Sequence, residues 1–444
     1  MPIENYFGKK ALVIGLGVSG RAAASFLQTS GVKVLGVDRD YLQLENQPEI
    51  LELKAKGLGI QADCETIDLK TFDLIVVSPG IPSNHPLIKK AHEHKKEVIG
   101  EIELGCRASC HSIIGVTGTN GKTTVTLLIT HILNANGLKA KALGNVGVPL
   151  TREILTLDFQ EIAVLELSSY QLDTFQQQAL DEAVVLNITP DHLERYETME
   201  NYAKSKFQIG KCLKKSGKLF VERKAAVEYQ HLLNYPHSTY GYLPSCHTYT
   251  DLRSVFLEGM QQFELPLEWQ GKENHDLENL LAAYAICARR GIKPQQFLQA
   301  LKTFQKPSHR VEFVLEKNGI HFYDDSKGTN IDAVMRAVQS INRPVFLIAG
   351  GVDKGASYVA WLNVFKGHVK KVYAIGQAAN KIQKELSLHI RVQIEANLDD
   401  AVKQAYQDAK EGDVVLLSPG CASFDMFKDY IHRGEEFKRL VKLL

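Results

Sequence analysis

Residues 113–124 read IIGVTGTNGKTT, and this stretch decides which kind of fold the chain adopts. It contains an apolar run, a glycine-rich turn and Lys122-Thr123 at the start of a helical pattern, an order typical of a strand, a phosphate-binding loop and a helix. The strict P-loop pattern requires glycine at position 116, where this chain has Val116. Residues 118–123 keep every physical element, because the backbone N–H groups of such a loop wrap phosphate oxygens and its lysine reaches the β and γ phosphates. The stretch therefore predicts a nucleoside triphosphate site in an α/β domain.

The same alternation of short apolar runs and helical patterns continues in both directions along the chain. Continuous apolar runs of this length are typical of buried parallel strands. The predicted strands form three series. The first is at 10–14, 32–38 and 73–78, the second at 113–116, 162–167 and 184–187, and the third begins near Val311 and continues at 345–349, 371–375 and 413–417. Helices are predicted at 18–30, after Lys122 and at 201–213. We predict three consecutive α/β domains at 1–106, 107–306 and 307–444, the outer two Rossmann-like and the central one a P-loop-type ATPase sheet.

Composition excludes several classes of function. The chain has 444 residues with 52 Lys and Arg against 51 Asp and Glu, a balance that excludes bulk electrostatic attraction to nucleic acid or to an anionic membrane. Seven cysteines, an odd number spread along the chain, do not form a disulfide framework. No stretch approaches the roughly 18 apolar residues that span a bilayer. We expect a soluble cytoplasmic monomer with neither nucleic acid nor membrane as a partner.

A second glycine motif lies near the N-terminus. Gly15, Gly17 and Gly20 form GxGxxG between a predicted strand and a predicted helix, and Asp38 ends the next strand. Such glycines let the backbone approach a pyrophosphate at a helix N-terminus, where the N–H groups and the helix dipole favour anions. NAD(P) is the usual ligand of this motif, but any nucleotide diphosphate meets the same physics, and a ligand-free tight turn is the alternative. The motif predicts a diphosphate site and indicates NAD only weakly.

A triphosphate site needs metal ligands, and the sequence offers candidates at strand ends. Glu166 ends an apolar strand, where a carboxylate would face Mg²⁺ at the carboxyl edge of the sheet, and the hydroxyl of Thr123 would face the same ion. His192 follows another strand end. A lone histidine is more often structural, but beside a phosphate loop we interpret it as a ligand. Lys206, on the next predicted helix, would ordinarily be a solvated surface lysine.

Taken together, these motifs resemble the Mur ligase family, the ATP-dependent amide ligases of peptidoglycan precursor synthesis. The resemblance covers essentially the whole chain. It rests on TGTNGKTT (117–124), GNVG (144–147), LELSSYQL (165–172), TPDHL (189–193), YAKSK (202–206), HDLEN (275–279), HRVE (309–312), DDSKGTN (324–330), GGVDKG (350–355) and SPGCASFDMFKDYIHRGEEF (418–437). Asp276 stands where the family pattern HNxxN has its first asparagine. The 418–437 stretch is most similar to the D-glutamate-adding branch, which implies UDP-N-acetylmuramoyl-L-alanine and D-glutamate as substrates.

The resemblance also implies site residues, with ATP and two Mg²⁺ ions as cofactors. The catalytic group is Lys122, Glu166, His192 and Lys206, the last as a lysine carbamate. ATP would lie against Gly118, Thr119, Asn120, Gly121, Lys122, Thr123, Thr124, Asn279, Arg310 and Asp325. The UDP-linked substrate would lie against Gly15, Gly17, Val18, Ser19, Arg39, Asp40 and Asn145. D-Glutamate would contact Lys327, Thr329, Lys354, Ser423 and Phe424. The magnesium ions would be held by Thr123, Glu166, His192 and Lys206.

The implied chemistry has a clear logic. A carboxylate is a poor electrophile, so an ATP ligase first converts it to an acyl phosphate, and closure of the domains is expected to assemble the site. An NAD-dependent oxidoreductase built on Gly15–Gly20 is the rival from another class, but it leaves the second glycine loop and Glu166 unexplained. A nucleotide-binding switch protein leaves 324–330 and 418–437 without a role. Another amide ligase of the family, alanine-adding or folate-polyglutamate, is the closest alternative.

Overall fold

The computed structural model describes residues 7–64, 66–271 and 273–444. The chain divides into two compact units. The first comprises the described residues up to Asn187 together with Ala203–Phe304, and the second comprises Ile188–Tyr202 together with Gln305–Leu444. Within the described ranges, no helix is both long enough and apolar enough to cross a membrane.

The N-terminal part of the first unit is a parallel sheet of five strands. The strands are β1 (Lys10–Ile14), β2 (Lys33–Asp38), β3 (Gly59–Ala62), β4 (Leu74–Val77) and β5 (Val98–Gly100). The helices are α1 (Val18–Thr29), α2 (Tyr41–Leu44), α3 (Pro48–Ala55), α4 (Pro86–Glu93) and α5 (Glu101–Ala108). The strand order β3-β2-β1-β4-β5 reverses direction next to β1, and ligands of open α/β sheets bind at the carboxyl ends of strands at such a point. The fold therefore puts the Gly15–Gly20 turn at a crevice.

The first unit also contains a sheet of nine strands that carries the phosphate loop. The strands are β6 (Ser112–Thr117), β7 (Ala140–Gly144), β8 (Ile162–Glu166), β9 (Leu180–Val185), β10 (Leu213–Glu222), β11 (His237–Gly241), β12 (Thr248–Thr250), β13 (Ser254–Leu257) and β14 (Met260–Glu264). The helices of this stretch of chain are α6 (Lys122–Ala135), α7 (Leu150–Glu153), α8 (Ser169–Leu172), α9 (Leu193–Tyr196), α10 (Met199–Phe207), α11 (Arg223–Glu228), α12 (His275–Arg289) and α13 (Pro294–Leu301).

The order of this sheet is β14-β13-β12-β11-β10-β9-β6-β8-β7. The seven strands β7, β8, β6, β9, β10, β11 and β12 are neighbours in this order and pair in parallel. β13 and β14 extend the sheet beyond β12 with antiparallel pairing. The helices α6 and α12 bury apolar side chains in one core with the central strands. Because β8, β6 and β9 are neighbours, the residues that follow them meet at one edge of the sheet.

The second unit is built on a sheet of six strands. The strands are β15 (Glu312–Lys317), β16 (Ile320–Asp324), β17 (Val345–Gly350), β18 (Val369–Ile375), β19 (Arg391–Ile394) and β20 (Val414–Leu417). The helices are α14 (Ile331–Ser340), α15 (Leu362–Phe365), α16 (Ala379–Leu386), α17 (Leu398–Asp408) and α18 (Tyr430–Leu443). The order is β15-β16-β20-β17-β18-β19, with β15 antiparallel to β16 and the other pairs parallel. Two apolar cores cover the two faces of this sheet.

The prediction of three α/β parts is confirmed, and so are the predicted strands, within a few residues. β9 begins at Leu180, four residues before the predicted start. The apolar pattern missed its first residues because they include acidic side chains, whose charge is paired: Asp181 lies 2.9 Å from Lys214. The predicted helix at 201–213 ends at Phe207 and continues as a 3₁₀ helix over Gln208–Cys212. The exact domain bounds stay a prediction.

Candidate active site

The loop between β6 and α6 adopts backbone conformations that favour glycine. Gly118 has φ +152° and Gly121 has φ +85°. A Cβ atom at Gly118 would lie 2.7 Å from the Cβ of Leu186, and one at Gly121 would collide with the amide oxygen of Asn279. The glycines therefore let the loop pass close to its neighbours and lead into the N-terminus of α6, which favours bound anions. The predicted contact Asn279 is thus placed directly against the phosphate loop.

The loop is held in place by Asn187, which follows β9. The backbone N–H of Thr119 donates to the carbonyl oxygen of Asn187 at 2.7 Å. The N–H of Asn120 donates to the Asn187 side-chain oxygen at 2.8 Å, and the Asn187 amide donates back to the Asn120 carbonyl at 3.1 Å. Sequence reasoning missed this residue. The available signal was a polar side chain directly after an apolar strand.

Two lysine ammonium groups meet the same loop carbonyl. Lys122 Nζ donates to the carbonyl oxygens of Gly118 at 3.0 Å and Thr119 at 2.9 Å. Lys206 Nζ donates to Gly118 at 2.7 Å, and this side chain is only 1% exposed. Burying an ammonium is unfavourable unless polar groups or anions compensate it. The structure therefore shows that Lys206 is not a solvated surface lysine and that the loop is a positively charged site.

Glu166, the last residue of β8, is a buried carboxylate with one oxygen left unpaired. Its Oε1 accepts a hydrogen bond of 2.6 Å from the Asn145 amide, whereas its Oε2 is buried and has no hydrogen-bond partner. Leaving a buried carboxylate oxygen unpaired is costly, and a hard divalent cation would satisfy it. Thr123 and Thr124 are buried at the start of α6. The chemistry of these residues fits a magnesium ion, and their role as its ligands stays a prediction.

Asn145 itself is fixed from two directions. Besides the side-chain contact, its backbone N–H donates to the Glu166 carbonyl oxygen at 2.9 Å. The preceding residue, Gly144, has φ +94°, and a Cβ there would lie 2.6 Å from the same carbonyl oxygen. The GNVG turn thus packs on the end of β8. Asn145 therefore contacts Glu166 through both its side chain and its backbone. The contact of Asn145 with the UDP-linked substrate stays a prediction.

The N-terminal crevice has the geometry of a nucleotide-binding turn. Gly15 has φ +84°, and a Cβ at Gly20 would collide with the Gly15 carbonyl oxygen. Asp38 Oδ2 accepts the Leu16 N–H at 2.7 Å, and Oδ1 accepts the Asp40 N–H at 2.9 Å. Through these two contacts Asp38 stabilises the backbone of the turn after β1 and of the turn after β2.

The predicted UDP contacts lie around this turn. Val18 is 60% exposed at the start of α1, although large apolar side chains are usually buried. Ser19 is half-buried, and Arg39 and Asp40 are exposed after β2. These side chains are accessible to a ligand in the crevice.

In the second unit, His192 lies at the start of α9 in the left-handed conformation, with φ +55°. Its ring Nδ1 is 3.2 Å from Glu194 Oε1, and its backbone N–H donates to Asp191 Oδ1 at 3.0 Å. A non-glycine residue with this φ is uncommon and marks a constrained position. The structure assigns His192 to the second unit, whereas Lys122, Glu166 and Lys206 belong to the first.

Asp325 and Arg310 lie where β16 ends and β15 begins. Asp325 is buried and accepts hydrogen bonds from the Ser418 hydroxyl at 2.6 Å and the Val311 N–H at 3.3 Å. Burial raises the pKa of the Asp325 carboxyl to about 7, against the opposing effects of Ser418 and Arg310. Arg310 stands between two left-handed residues, His309 with φ +63° and Val311 with φ +47°. This backbone presents a half-buried arginine close to a buried carboxyl.

The predicted D-glutamate contacts lie on three loops that follow the neighbouring strands β16, β17 and β20. Backbone hydrogen bonds join the loops, from Gly420 N–H to the Gly328 carbonyl at 2.7 Å and from Val352 N–H to the Ala422 carbonyl at 2.8 Å. These loops carry Lys327, Thr329, Lys354, Ser423 and Phe424. The tertiary structure therefore brings together residues that are nearly a hundred positions apart in the chain.

The side chains on these loops differ in their surroundings. The ammonium of Lys327 lies 3.8 Å from the centre of the Tyr430 ring, a cation–π contact. Ser423 is buried, whereas the Phe424 ring is 73% exposed although it is apolar. Thr329 is half-buried. The predicted contact of Phe424 with D-glutamate is made through its backbone and does not involve this ring.

Lys354 lies in a small pocket together with Asp191 and Asn330, two residues that sequence reasoning did not single out. Its Nζ is 3.0 Å from Asp191 Oδ1, and the Asn330 amide donates to Asp191 Oδ2 at 3.2 Å. Burial alone would raise the pKa of Asp191, but the Lys354 ammonium and His192 hold it below its usual range. The pocket thus contains a stable anion beside a cation. The signal for Asp191 was its position in the TPDHL motif.

Three domain profiles match the chain in sequence order. They are the Mur ligase MurD-like N-terminal domain at residues 9–100, the Mur ligase middle domain at 116–287 and the Mur ligase, glutamate ligase domain at 309–421.

Full-length relatives agree with the profiles. A UDP-N-acetylmuramoylalanine--D-glutamate ligase from Protochlamydia amoebophila is 98% identical over 444 residues, covering 100% of both chains. Ligases of the same name from Thermoanaerobacter sp. and Koribacter versatilis are 38% and 37% identical and cover 98% of this chain, with 98% and 97% of their own lengths covered.

Solved structures show the same fold at low sequence identity. MurF from Acinetobacter baumannii superposes with a TM-score of 0.64 at 15% identity, covering 99% of this chain and 98% of its own. The UDP-N-acetylmuramate-alanine ligase MurC from Thermotoga maritima gives a TM-score of 0.61 at 18% identity, covering 98% and 99%.

Proposed function

This chain belongs to the Mur ligase family, and we propose that it joins UDP-N-acetylmuramoyl-L-alanine to D-glutamate with ATP as the energy source. It is an ATP-dependent amide ligase of peptidoglycan precursor synthesis. One observation carries the assignment of the chemistry to particular residues: a glycine-rich phosphate loop, contacted by the Lys122 ammonium and by the buried Lys206 side chain, lies in the unit that also holds Glu166, a buried carboxylate with an unpaired oxygen. This is the arrangement that phosphoryl transfer from a nucleoside triphosphate requires.

The reaction proceeds through an acyl phosphate. A carboxylate oxygen of the donor attacks the γ-phosphorus of ATP, ADP leaves, and the carbonyl carbon gains a good leaving group. The amine of D-glutamate, after losing a proton, attacks that carbon, and the tetrahedral intermediate collapses with loss of inorganic phosphate. Lys122 and the N–H groups of 118–123 stabilise the charge on the phosphoryl oxygens during the first step.

Magnesium neutralises phosphate charge when it is bound, and we assign its ligands from the chemistry of the residues. Glu166 and Thr123 supply hard oxygen donors for one ion. The family resemblance also assigns His192 and Lys206, the latter as a carbamate, to metal binding. Bound magnesium would neutralise the part of the triphosphate's negative charge that Lys122 does not compensate.

A carbamate at Lys206 is compatible with the contacts of its side chain. Addition of CO₂ to the neutral amine forms a C–N bond, releases a proton and leaves an anionic group with one N–H. That N–H can keep donating to the Gly118 carbonyl, the 2.7 Å contact of the unmodified lysine. The two new oxygens turn an otherwise repulsive cation into a metal ligand. The low exposure of the side chain protects such a group from bulk water.

For the acceptor, we assign Lys354, Lys327, Thr329, Ser423 and Phe424. D-Glutamate carries two carboxylates and needs cationic and hydroxyl partners, which the joined loops of the second unit supply. Lys354→Ala should lower kcat/KM for D-glutamate by about ten- to a hundredfold, because a charge-assisted hydrogen bond contributes roughly 1.5–3 kcal/mol. The KM for ATP should stay nearly constant. Equal losses for both substrates would contradict the assignment.

The overall reaction is tested with purified protein, ATP, Mg²⁺ and UDP-N-acetylmuramoyl-L-alanine. Phosphate release is compared with D-glutamate, with L-glutamate and with L-alanine as acceptor. We expect release that depends on both the donor and D-glutamate. Release with L-alanine instead would point to another ligase of the same family, and oxidation or reduction of a nicotinamide without phosphate release would point to a different class.

We also propose that the chain acts as a monomer in the cytoplasm, with the two small-molecule substrates as its partners. The support is that contacts assigned to ATP, to the UDP-linked donor and to D-glutamate are all supplied by this one chain. Sedimentation in the presence of substrates measures the oligomeric state. A dimer that is required for turnover would contradict the proposal.

A further inference from the structure

Asp353 is the residue directly before Lys354, and its carboxylate is held by two other side chains. The hydroxyl of Tyr358 donates to Asp353 Oδ1 at 2.9 Å. The ammonium of Lys381, on α16, donates to Asp353 Oδ2 at 2.9 Å. Both oxygens of Asp353 are therefore engaged by groups other than its neighbour Lys354.

This arrangement solves an electrostatic problem in the assigned acceptor site. D-Glutamate brings two negative charges, and a carboxylate one residue away from the lysine that binds it would repel the substrate and compete for the same ammonium. Lys381 compensates the charge of Asp353, and the hydroxyl of Tyr358 stabilises it further. The Lys354 ammonium points instead to Asp191 Oδ1, at 3.0 Å.

The same two residues also shape the loop. Lys381 Nζ donates to the backbone carbonyl of Ala356 at 2.9 Å and lies 5.3 Å from the centre of the Tyr358 ring. The loop from Asp353 to Ala356 is thereby closed around one ammonium group. Lys354 lies inside this loop, between two residues that the Lys381 ammonium contacts.

Tyr358 connects this loop to the second acceptor loop. Its hydroxyl is 3.1 Å from the Sγ of Cys421, which is buried two residues before Ser423. Tyr358 is itself only 1% exposed, and it lines the small pocket that contains Lys354 and Asp191. A buried hydroxyl that meets both loops fixes their relative position through directional hydrogen bonds.

We propose that Tyr358 and Lys381 are positioning residues for the acceptor amino acid. They hold the charge of Asp353 away from Lys354, so that this ammonium can pair with a carboxylate of D-glutamate. The inference rests on the proposed function, because it takes Lys354 to be the acceptor-binding cation. Burial alone would raise the pKa of Asp353, and the contacts with Lys381 and Tyr358 keep it below its usual range, as a permanent anion requires.

The second unit contains a matched control group. The hydroxyl of Tyr373 donates to Asp408 Oδ2 at 2.6 Å, Lys371 Nζ is also 2.6 Å from that carboxylate, and Lys371 lies 4.8 Å from the Tyr373 ring centre. This is the same trio of tyrosine, aspartate and lysine. Its residues lie on β18 and α17, outside the three acceptor loops.

The decisive experiment compares three variants by steady-state kinetics with each substrate varied in turn. Lys381→Met leaves Asp353 uncompensated, so the KM for D-glutamate should rise about tenfold while the KM for ATP changes less than about twofold. Adding Asp353→Asn to Lys381→Met removes the offending charge and should restore the KM to within about threefold of the original. The control Lys371→Met should change neither KM.

Tyr358→Phe provides a second, milder test that keeps the aromatic ring. It should raise the KM for D-glutamate about threefold, the effect of one lost hydrogen bond, with kcat and the melting temperature little changed. Tyr373→Phe should leave this KM unchanged. These comparisons separate positioning from general loss of folding.

Three results would overturn the inference. The first is an unchanged KM for D-glutamate in both Lys381→Met and Tyr358→Phe. The second is a raised KM that Asp353→Asn does not restore, since a purely structural role predicts no rescue by removing a charge. The third is an unchanged KM for D-glutamate in Lys354→Ala, which would remove the assigned acceptor site as well. If Lys354→Ala raises the KM and the other variants do not, only the positioning role is wrong.

Discussion

The ammonium of Lys206 donates a hydrogen bond of 2.7 Å to the carbonyl oxygen of Gly118, a residue 88 positions earlier in the chain. This contact joins the end of α10 to the phosphate loop. It also places a buried lysine side chain against the phosphate loop, on the same Gly118 carbonyl that Lys122 contacts. The relationship makes Lys206 a member of the site and gives a direct test of its chemical form.

Lys206→Ala should be nearly inactive, because both the loop contact and the assigned metal ligand are lost. A small carboxylic acid added to this variant should restore part of the turnover by filling the gap that a carbamate leaves. Lys204→Ala is the matched control, since Lys204 is exposed on the same helix and should be dispensable. Full activity of Lys206→Ala without added acid would remove this residue from the site.

Lys122→Ala should keep the fold and lose turnover by at least about a hundredfold, as the loss of one transition-state donor commonly does. The backbone of the loop is held by Asn187 and by glycine conformations, so folding does not depend on this ammonium. Activity and the circular dichroism melting curve are measured together, with Lys139→Ala as a surface control. A variant with near-normal kcat, or one that fails to fold, would contradict the role.

Glu166→Gln should weaken the binding of the activating magnesium ion. The amide keeps the size of the side chain but loses the negative charge of the unpaired oxygen, so half-maximal activation should need at least about tenfold more Mg²⁺. The measurement is a magnesium titration of phosphate release at fixed ATP. Glu161→Gln, just before the same strand, is the control. An unchanged titration curve for Glu166→Gln would show that this carboxylate does not hold the ion.

The N-terminal crevice should bind UDP and should not bind NADH. Residues 9–100 match the Mur ligase MurD-like N-terminal domain, and the proposed donor carries uridine diphosphate and no nicotinamide. Calorimetric titration with each nucleotide checks this. Gly20→Ala should abolish the UDP signal, since its Cβ would collide with the Gly15 carbonyl. Micromolar binding of NADH with no response to UDP would revive the oxidoreductase.

Glu101 should make the free energy of unfolding depend on pH. Burial raises the pKa of its carboxyl to about 7, against hydrogen bonds from Thr151. The folded protein then holds more protons than the unfolded chain between about pH 4.5 and 7, so the unfolding free energy falls as pH rises through this window and levels off above it.

Glu101→Gln removes this titration. The decrease in the free energy of unfolding between about pH 4.5 and 7 should then be smaller than in the original chain by up to about 3 kcal/mol. Asp325, with its pKa also raised to about 7 by burial, contributes a slope of the same sign, so the variant's curve should be shallower without being flat. Urea unfolding at several pH values between 4.5 and 8 measures the slope. Glu52→Gln, at an exposed carboxylate, is the control, and an equal slope in the wild-type chain and Glu101→Gln would refute the assignment.

Local patterns predicted much of the fold and the phosphate loop. The order of strand, glycine turn and helix around 113–124 was confirmed, as was the turn at Gly15–Gly20, because these features depend on residues that are neighbours in the chain. The antiparallel strands β13 and β14 were not predicted. Asn187, Asp191 and Tyr358 were missed for a different reason: each acts through a partner from another element, and a single polar side chain gives no pattern.

By itself, the sequence determined where the backbone could take left-handed turns, where apolar runs had to be buried as strands, and which residue types stood at the ends of those strands. These properties follow from each residue's own conformational preference and from its immediate neighbours. Only the tertiary structure decided that Lys206 contacts Gly118, that Asn145 occupies one oxygen of Glu166 and leaves the other unpaired, and that Tyr358 and Lys381 both hold Asp353. Such pairings depend on which strands become neighbours in a sheet, and that choice is made by the packing of whole elements, which no local stretch of sequence contains.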